Sequence, residues 1–422
     1  MKSNSREFDV IVIGAGVIGA VMACLLLRHG SRSSLRVALI ADRFMQMPAP
    51  ELDWDLRVFA LSRASERILK LCGIWDTLPA SRVNPFERMR VWDGEGPASR
   101  SSCVSFDCAD IGEPNLGCIV DAQVLQWQAL QRARALGAVL IEASLSSIAE
   151  SQDAMRVGLE DGRELRAALI VGADGTESKT RELLGIETAG HAYDQDALVT
   201  HVSTALPHAY TAWQRFLPTG PLAFLPLSDG RCSIVWSTER TEAARLRALD
   251  ANSFGAALTE ASGEVLGACT LTAPLAAFTL KLQYAVAYAK PRAVLLGDAA
   301  HAVHPLAGQG LNLGLLDCAT LAQVLEDCGS PTSFGDMKVL RRYERWRRSE
   351  NFLAGAGLDA MERLFSYSRG PVVAARRFGM GAVERSSAVK RRLARHALGL
   401  SGDLPAIIRG SMEWAAIHPK TD

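Results

Sequence analysis

The chain has no excess charge of either sign, with 46 Lys/Arg against 46 Asp/Glu in 422 residues. No global field favours nucleic acid or an acidic partner, so nucleic-acid binding is not expected and any charge argument has to be local. Cysteine pairing is also missing. Nine cysteines form no CxxC and are odd in number, which fits free thiols in a reducing compartment, no metal site and a cytoplasmic protein. The polar opening Met1-Lys-Ser-Asn-Ser-Arg-Glu-Phe8 lacks the apolar core of a secretory signal. The first apolar run, Val10 to Leu27, is broken by Gly14, Gly16 and Gly19, so strand, turn and helix account for it better than a membrane span. Internal repeats and low-complexity tracts are absent as well. What is present is an ordinary globular composition, 48% hydrophobic and 22% charged, in a chain long enough for two or three cores.

The pattern along the chain is α/β at first. Val10 to Ile13 reads as a buried parallel strand, Ala20 to His29 as a helix, and Arg36 to Ala41 as a second strand ended by Asp42, which together make one βαβ unit. Helices are expected over 64–71 and 122–136, the latter stopped by Gly137. Met155–Leu159 and Glu164–Val171, joined through Glu160-Asp-Gly-Arg163, predict a hairpin. From Ala197 to Thr238 the pattern alternates and is rich in aromatics, as in an antiparallel sheet of a second domain. The α/β pattern returns at Ala293, and beyond Arg341 it is almost wholly helical.

Three motifs carry chemistry. Gly14-Ala15-Gly16-Val-Ile-Gly19 follows a strand and opens a helix, with Asp42 and Arg43 closing the next strand. Glycines there allow a tight turn and close approach of a pyrophosphate to a helix N-terminus, while a carboxylate accepts from ribose hydroxyls. By itself this motif does not separate NAD from FAD. The second is Leu169-Ile-Val-Gly-Ala-Asp174-Gly175-Thr-Glu-Ser-Lys-Thr-Arg181. The third is Ala293-Val-Leu-Leu-Gly297-Asp298 and the segment His304-Pro305-Leu-Ala-Gly308-Gln-Gly310-Leu311-Asn312-Leu-Gly-Leu-Leu-Asp317 that follows it. It reads as a buried strand ending on an acid, then a glycine-rich turn opening a helix whose free N–H groups suit an anionic or electron-rich cofactor. Taken singly, Asp174 and Asp298 are as well explained as carboxylates that cap a turn and a helix.

Together the motifs resemble those of the ubiquinone-biosynthesis hydroxylases, a family of FAD-dependent monooxygenases with the para-hydroxybenzoate hydroxylase fold. The likeness extends through Asp55-Leu-Arg57-Val-Phe-Ala-Leu-Ser62, Gly220-Pro-Leu-Ala-Phe-Leu-Pro-Leu-Ser-Asp-Gly-Arg231 and Ala394-Arg-His-Ala-Leu-Gly-Leu400, and so over essentially the whole chain. One departure is Asp121-Ala122, where relatives tend to carry Glu-Asn; Asp121 is still a suitable helix N-cap. The resemblance implies a Rossmann-like FAD-binding domain (1–75, 110–188 and 284–350), an inserted antiparallel-sheet substrate domain (76–109 and 189–283) and a C-terminal helical region (351–422). It also implies Asp298 on the ribityl chain, Asp174-Gly175 near both flavin and nicotinamide, and Arg57 near flavin.

The same resemblance implies that reduced FAD takes up O2 as a C4a-hydroperoxide and passes one oxygen atom to a polyprenyl phenol of ubiquinone biosynthesis. The cofactor carries the hard chemistry, and the protein supplies charge stabilisation, a dry cavity and orientation. Backbone N–H groups of Gly310, Leu311 and Asn312 suit the anionic reduced ring. Pro305, with no N–H, suits a rigid wall beside the flavin edge, and His304 is placed there by its position. His201, His208, His301 and His304 are all candidates by type for a base toward the phenol, with none preferred on chemistry. Trp213, Phe216, Phe224 and Pro226 are candidate substrate contacts, although strand alternation lets only one face serve. No second dinucleotide turn is present, so electrons come from a transient NAD(P)H or from another protein. Between Arg369 and Arg409 nine Lys/Arg stand against Glu384 and Asp403. This basic amphipathic stretch predicts either peripheral contact with the inner membrane or a solvated helical face. Membership of an assembly of ubiquinone-synthesis enzymes is a further expectation. The rival readings are a non-catalytic flavin-binding scaffold and a hydroxylase of a soluble aromatic.

Overall fold

A computed structural model describes residues 7–28, 35–49, 52–94, 103–151, 153–303, 309–367 and 370–409. The first sheet is ordered Ala289–Lys290, Ala293–Leu295, Glu164–Gly172, Phe8–Ile13, Val37–Ala41, Val139–Glu142. Its central strands run parallel. Val10, Val12 and Leu39 pack on one side with residues of the helices Val17–Leu27, Ala122–Ala135 and Gln309–Cys328. On the other side Ile11, Ile13 and Ile40 meet Leu145, Val157 and Leu165. Burial on both faces is why these strands read as unbroken apolar runs. The hairpin of Met155–Leu159 and Glu164–Gly172 is antiparallel, as the Asp161-Gly162 turn predicts. Asp121 caps the helix that follows it, its Oδ1 accepting from Val124 N–H at 3.1 Å.

The second sheet runs His301–Ala302, Ala276–Ala285, Thr188–Thr204, Cys232–Glu239, Gly220–Pro226, Thr211–Leu217, Arg88–Asp93, Cys103–Asp107. It is antiparallel except where Thr211–Leu217 lies parallel to Arg88–Asp93. Leu198, Val202, Phe224 and Trp236 on one face form a core with Ala243 and Leu246 of the helix Arg240–Arg247 and Phe254 and Leu258 of the helix Ala251–Ser262. On the other face Ala212 and Leu225 pack against a three-stranded sheet of Val58–Leu61, Gly117–Asp121 and Val83–Phe86. Further along that face Phe216 stacks on Phe365, ring centroids 3.9 Å apart, within the long helix Met337–Ser366.

The helices Gly370–Arg385 and Ser387–Ala397 complete the helical C-terminal region. Arg376 anchors the first of them through Nε and Nη2 to the buried Asp93 carboxylate, both at 2.9 Å. Arg377 lies 3.5 Å from the same carboxylate, and Lys390 Nζ donates to the Ser105 carbonyl. Several of the nine basic residues therefore hold the helices to the sheet, while Arg385, Arg391, Arg392 and Arg395 remain exposed. No helix of the described residues is long and apolar enough to cross a membrane.

Candidate active site

The Gly14 turn is shaped by collision. A Cβ on Gly19 would overlap the Gly14 carbonyl, and one on Gly14, whose φ is +106°, would overlap the Ala173 carbonyl. Nothing lies within 4 Å of the Cβ position of Gly16. Two glycines thus let the turn close against its neighbours, and the third faces open space. Gly16 also heads the helix Val17–Leu27, which has no side-chain cap and no acid in its first turn, so its first N–H groups are available to an anion. Gly14 N–H donates to the Ile40 carbonyl at 2.8 Å, which brings the exposed Asp42 and Arg43 to the end of the adjacent strand.

The other two motifs converge on the same edge. Gly297 adopts φ +55°, and a Cβ on Gly314 would come within 2.7 Å of Ile18 Cδ1 and 3.1 Å of Gly297 Cα. This close approach sets the start of the helix Gln309–Cys328 against both the first helix and the Asp298 turn. A Cβ on Gly310 would stand 3.8 Å from Asp298 Oδ1. Asp298 is half-buried, and desolvation raises the pKa of its carboxyl although His301 and Arg57 pull it down. Arg57 is exposed, its guanidinium 5.1 Å from the Phe59 ring centroid. Asn312 is committed to structure: its Oδ1 accepts from Ser62 N–H at 2.9 Å and Ser65 Oγ–H at 2.6 Å, and its Nδ2 donates to the Ala60 carbonyl at 2.9 Å. Asp174 likewise serves its own turn, accepting from Ser178 Oγ–H and from Thr180 N–H at 2.8 Å. Gly175, at φ +81°, faces open space.

Comparison with known proteins agrees with this geometry. An FAD binding domain model matches residues 7–350. The 3-demethoxyubiquinol 3-hydroxylase of Escherichia coli (strain K12) is 34% identical over 94% of this chain and 100% of its own length. Ubiquinone hydroxylase UbiL of Rhodospirillum rubrum is 36% identical over 97% and 94%. Among solved structures, p-nitrophenol 4-monooxygenase PnpA from Pseudomonas putida DLL-E4 matches with a TM-score of 0.72 at 19% identity, covering 93% of this chain and 98% of that one.

The chain belongs to the FAD-binding domain family. Like its hydroxylase relatives in that family, it is an FAD-dependent monooxygenase. The residues fit the cofactor. The uncapped helix behind Gly16 would take the pyrophosphate, Asp42 a ribose, and the half-buried Asp298 carboxyl the ribityl hydroxyls. FAD, when bound, supplies the activation of O2 and the transfer of one oxygen atom.

Family membership does not by itself explain the buried cluster behind Asp298, which sequence reasoning missed. Asp317, wholly buried, accepts from His301 Nε2–H at 2.6 Å, Arg347 Nε–H at 2.7 Å, Asn351 Nδ2–H at 3.0 Å and Gly297 N–H at 3.1 Å. Burial would raise its pKa, but His301 and Arg347 outweigh that and hold it at about 2. The cluster pins Gly297, and with it the Asp298 turn. One signal was available: an aspartate between Leu316 and Cys318, in a helix segment that is apolar on every side.

Three expected substrate contacts need correction. Trp213 and Phe224 pair across the strands and pack in the core against the helices Arg240–Arg247 and Ala251–Ser262. Pro226, two residues on from Phe224, alternates onto that same face. Only Phe216 lies on the opposite face, and it is covered by Phe365. His208 is structural, with Nε2 on the Leu227 carbonyl and Nδ1 accepting from Tyr210 N–H. His304, Pro305 and Gly308 lie outside the described residues.

Proposed function

We propose that this monooxygenase inserts one oxygen atom of O2 into the ring of a polyprenyl phenol of ubiquinone biosynthesis, with electrons from NAD(P)H or a protein donor. The observation that carries this reading is the meeting of two surfaces at the strand Val58–Leu61. Ala60 is bound by Asn312 at the start of the helix that would face the flavin ring. Val58 and Ala60 also pack against the buried cluster that contains Ala212 and that Leu225 of the large sheet covers. A ring lying between sheet and cofactor would be held in an apolar, water-excluding place, which a reactive oxygen donor requires. Backbone N–H groups at Gly310 and Leu311 would stabilise charge on the reduced ring.

The substrate's chain is greasy, and the C-terminal helices offer a surface to match. Phe352, Leu353, Leu364, Phe378 and Leu393 are exposed there beside Arg391, Arg392 and Arg395. Apolar and basic side chains together suit peripheral docking on the anionic inner face of the bacterial membrane, where other enzymes of the pathway would assemble with it. Removal of the gene is expected to make an intermediate lacking one ring oxygen accumulate, read by mass spectrometry of the quinone pool. An unchanged pool would overturn the reading. Sedimentation with anionic but not neutral vesicles tests the docking.

A further inference from the structure

The large sheet's inner face holds two polar side chains with nothing to bind. His201 on Thr188–Thr204 and Ser233 on Cys232–Glu239 are register partners, so their side chains stand next to each other on one face. Each is wholly buried. Among the described residues, His201 Nδ1 and Ser233 Oγ have no hydrogen-bond partner. The other ring nitrogen is fixed: Nε2 lies 2.9 Å from the Asp55 carbonyl, which only accepts, so Nε2 carries a hydrogen. In the neutral ring Nδ1 is then a bare acceptor. A buried polar atom left unpaired is costly, and each one calls for an explanation such as a catalytic role or a bound partner.

The location fits a ligand. Leu225 is the next residue across the sheet from Ser233, and it packs against the same buried cluster as Val58 and Ala60. His201 itself bonds to the segment leading into Arg57. Of the other candidates among the described residues, His208 uses both nitrogens, and His301, although its Nδ1 is also unpartnered, is tied at Nε2 into the Asp317 cluster.

Resting on the functional reading above, we infer that His201 and Ser233 recognise the phenolic hydroxyl of the substrate. The phenol O–H donates to His201 Nδ1, and Ser233 Oγ–H donates to the phenol oxygen. When the proton passes over, the O–H electron pair stays on oxygen and a new Nδ1–H bond forms. The imidazolium then donates from Nε2 to Asp55 and from Nδ1 to the phenolate. A phenolate ring is richer in electrons, as an electrophilic oxygen donor needs. An ether in place of the hydroxyl has no proton to give and leaves Nδ1 unpaired.

The test titrates FAD-loaded enzyme with a geranyl-substituted phenol and with its methyl ether, following the flavin absorbance. Wild type is expected to bind the phenol about tenfold more tightly, the scale of one buried hydrogen bond. His201→Ala should bind the two alike, His201→Asn, which keeps an acceptor near the Nδ1 position, should recover part of the preference, and Ser233→Ala should weaken both compounds about threefold, because the ether oxygen also accepts from its hydroxyl. A His201→Ala enzyme with full flavin content and an undiminished preference overturns the proposal. Should that variant fail to fold, Ser233→Ala decides, and an unchanged affinity for both compounds there overturns it equally. Wild type that binds neither compound would instead sink the functional reading beneath it.

Discussion

The flavin edge and the substrate sheet are specified in different ways. At the flavin edge single atoms decide: a Cβ on Gly14 or Gly19 would strike backbone, so each of these positions admits glycine alone. On the substrate sheet both faces are apolar, and the difference between core and pocket is one residue of register. Phe224 and Leu225 are neighbours in sequence, yet one packs on the helices Arg240–Arg247 and Ala251–Ser262 and the other toward the flavin edge. Motif rules therefore carry over to the first region, while the second is readable only once strand pairing is known.

The most severe break in this contrast is expected from Gly19→Val. Its side chain has no room beside the Gly14 carbonyl, so the turn must open, and purified protein should contain almost no flavin and unfold at a markedly lower temperature. Gly16→Ala is the matched control. With nothing within 4 Å of the new methyl group, the fold should survive with its melting temperature nearly unchanged, and the loss should fall on flavin content. If both variants lose stability alike, Gly16 does not face a ligand.

Asp317→Ala should rank next. It leaves His301 and Arg347 buried without their counter-charge, a loss on the order of 3–5 kcal/mol, measurable by urea denaturation. The pH dependence follows from the same cluster. Because the Asp317 pKa is depressed in the fold to about 2, its contribution is complete above the ordinary carboxylate range, near pH 4. It should disappear as pH falls from there toward 2, so the difference between wild type and Asp317→Ala should shrink over that interval. Phe224→Ala should cost roughly as much, about 3–5 kcal/mol, but leave ligand preference alone. A change in phenol binding with stability intact would put Phe224 back in the pocket.

Legibility follows the same division. The strand, turn and helix at Gly14, the hairpin at Asp161-Gly162 and the Asp121 cap were readable because each depends on local backbone demands. The Asp317 cluster was not, since it joins residues 16 and 30 positions apart in the chain through the packing of separate elements. Basic residues such as Arg376 misled for a related reason: a charge count does not show that a guanidinium points inward to Asp93.

Asp298→Asn should have the smallest effect on stability and the most informative sign. Burial raises the pKa of this carboxyl, so the flavin-free fold disfavours its charged form relative to water. Its contribution to stability is present below the unfolded pKa and is lost as pH rises through the higher folded value. At neutral pH the asparagine, which carries no charge to desolvate, should leave the flavin-free protein as stable as wild type or more so. FAD affinity should nevertheless fall about tenfold, the scale of one charge-assisted hydrogen bond to a ribityl hydroxyl. Thermal unfolding of the flavin-free protein and flavin titration read the two effects separately. A variant that loses stability without losing affinity would make Asp298 a structural cap like Asp174, and would leave the flavin edge without its acidic contact.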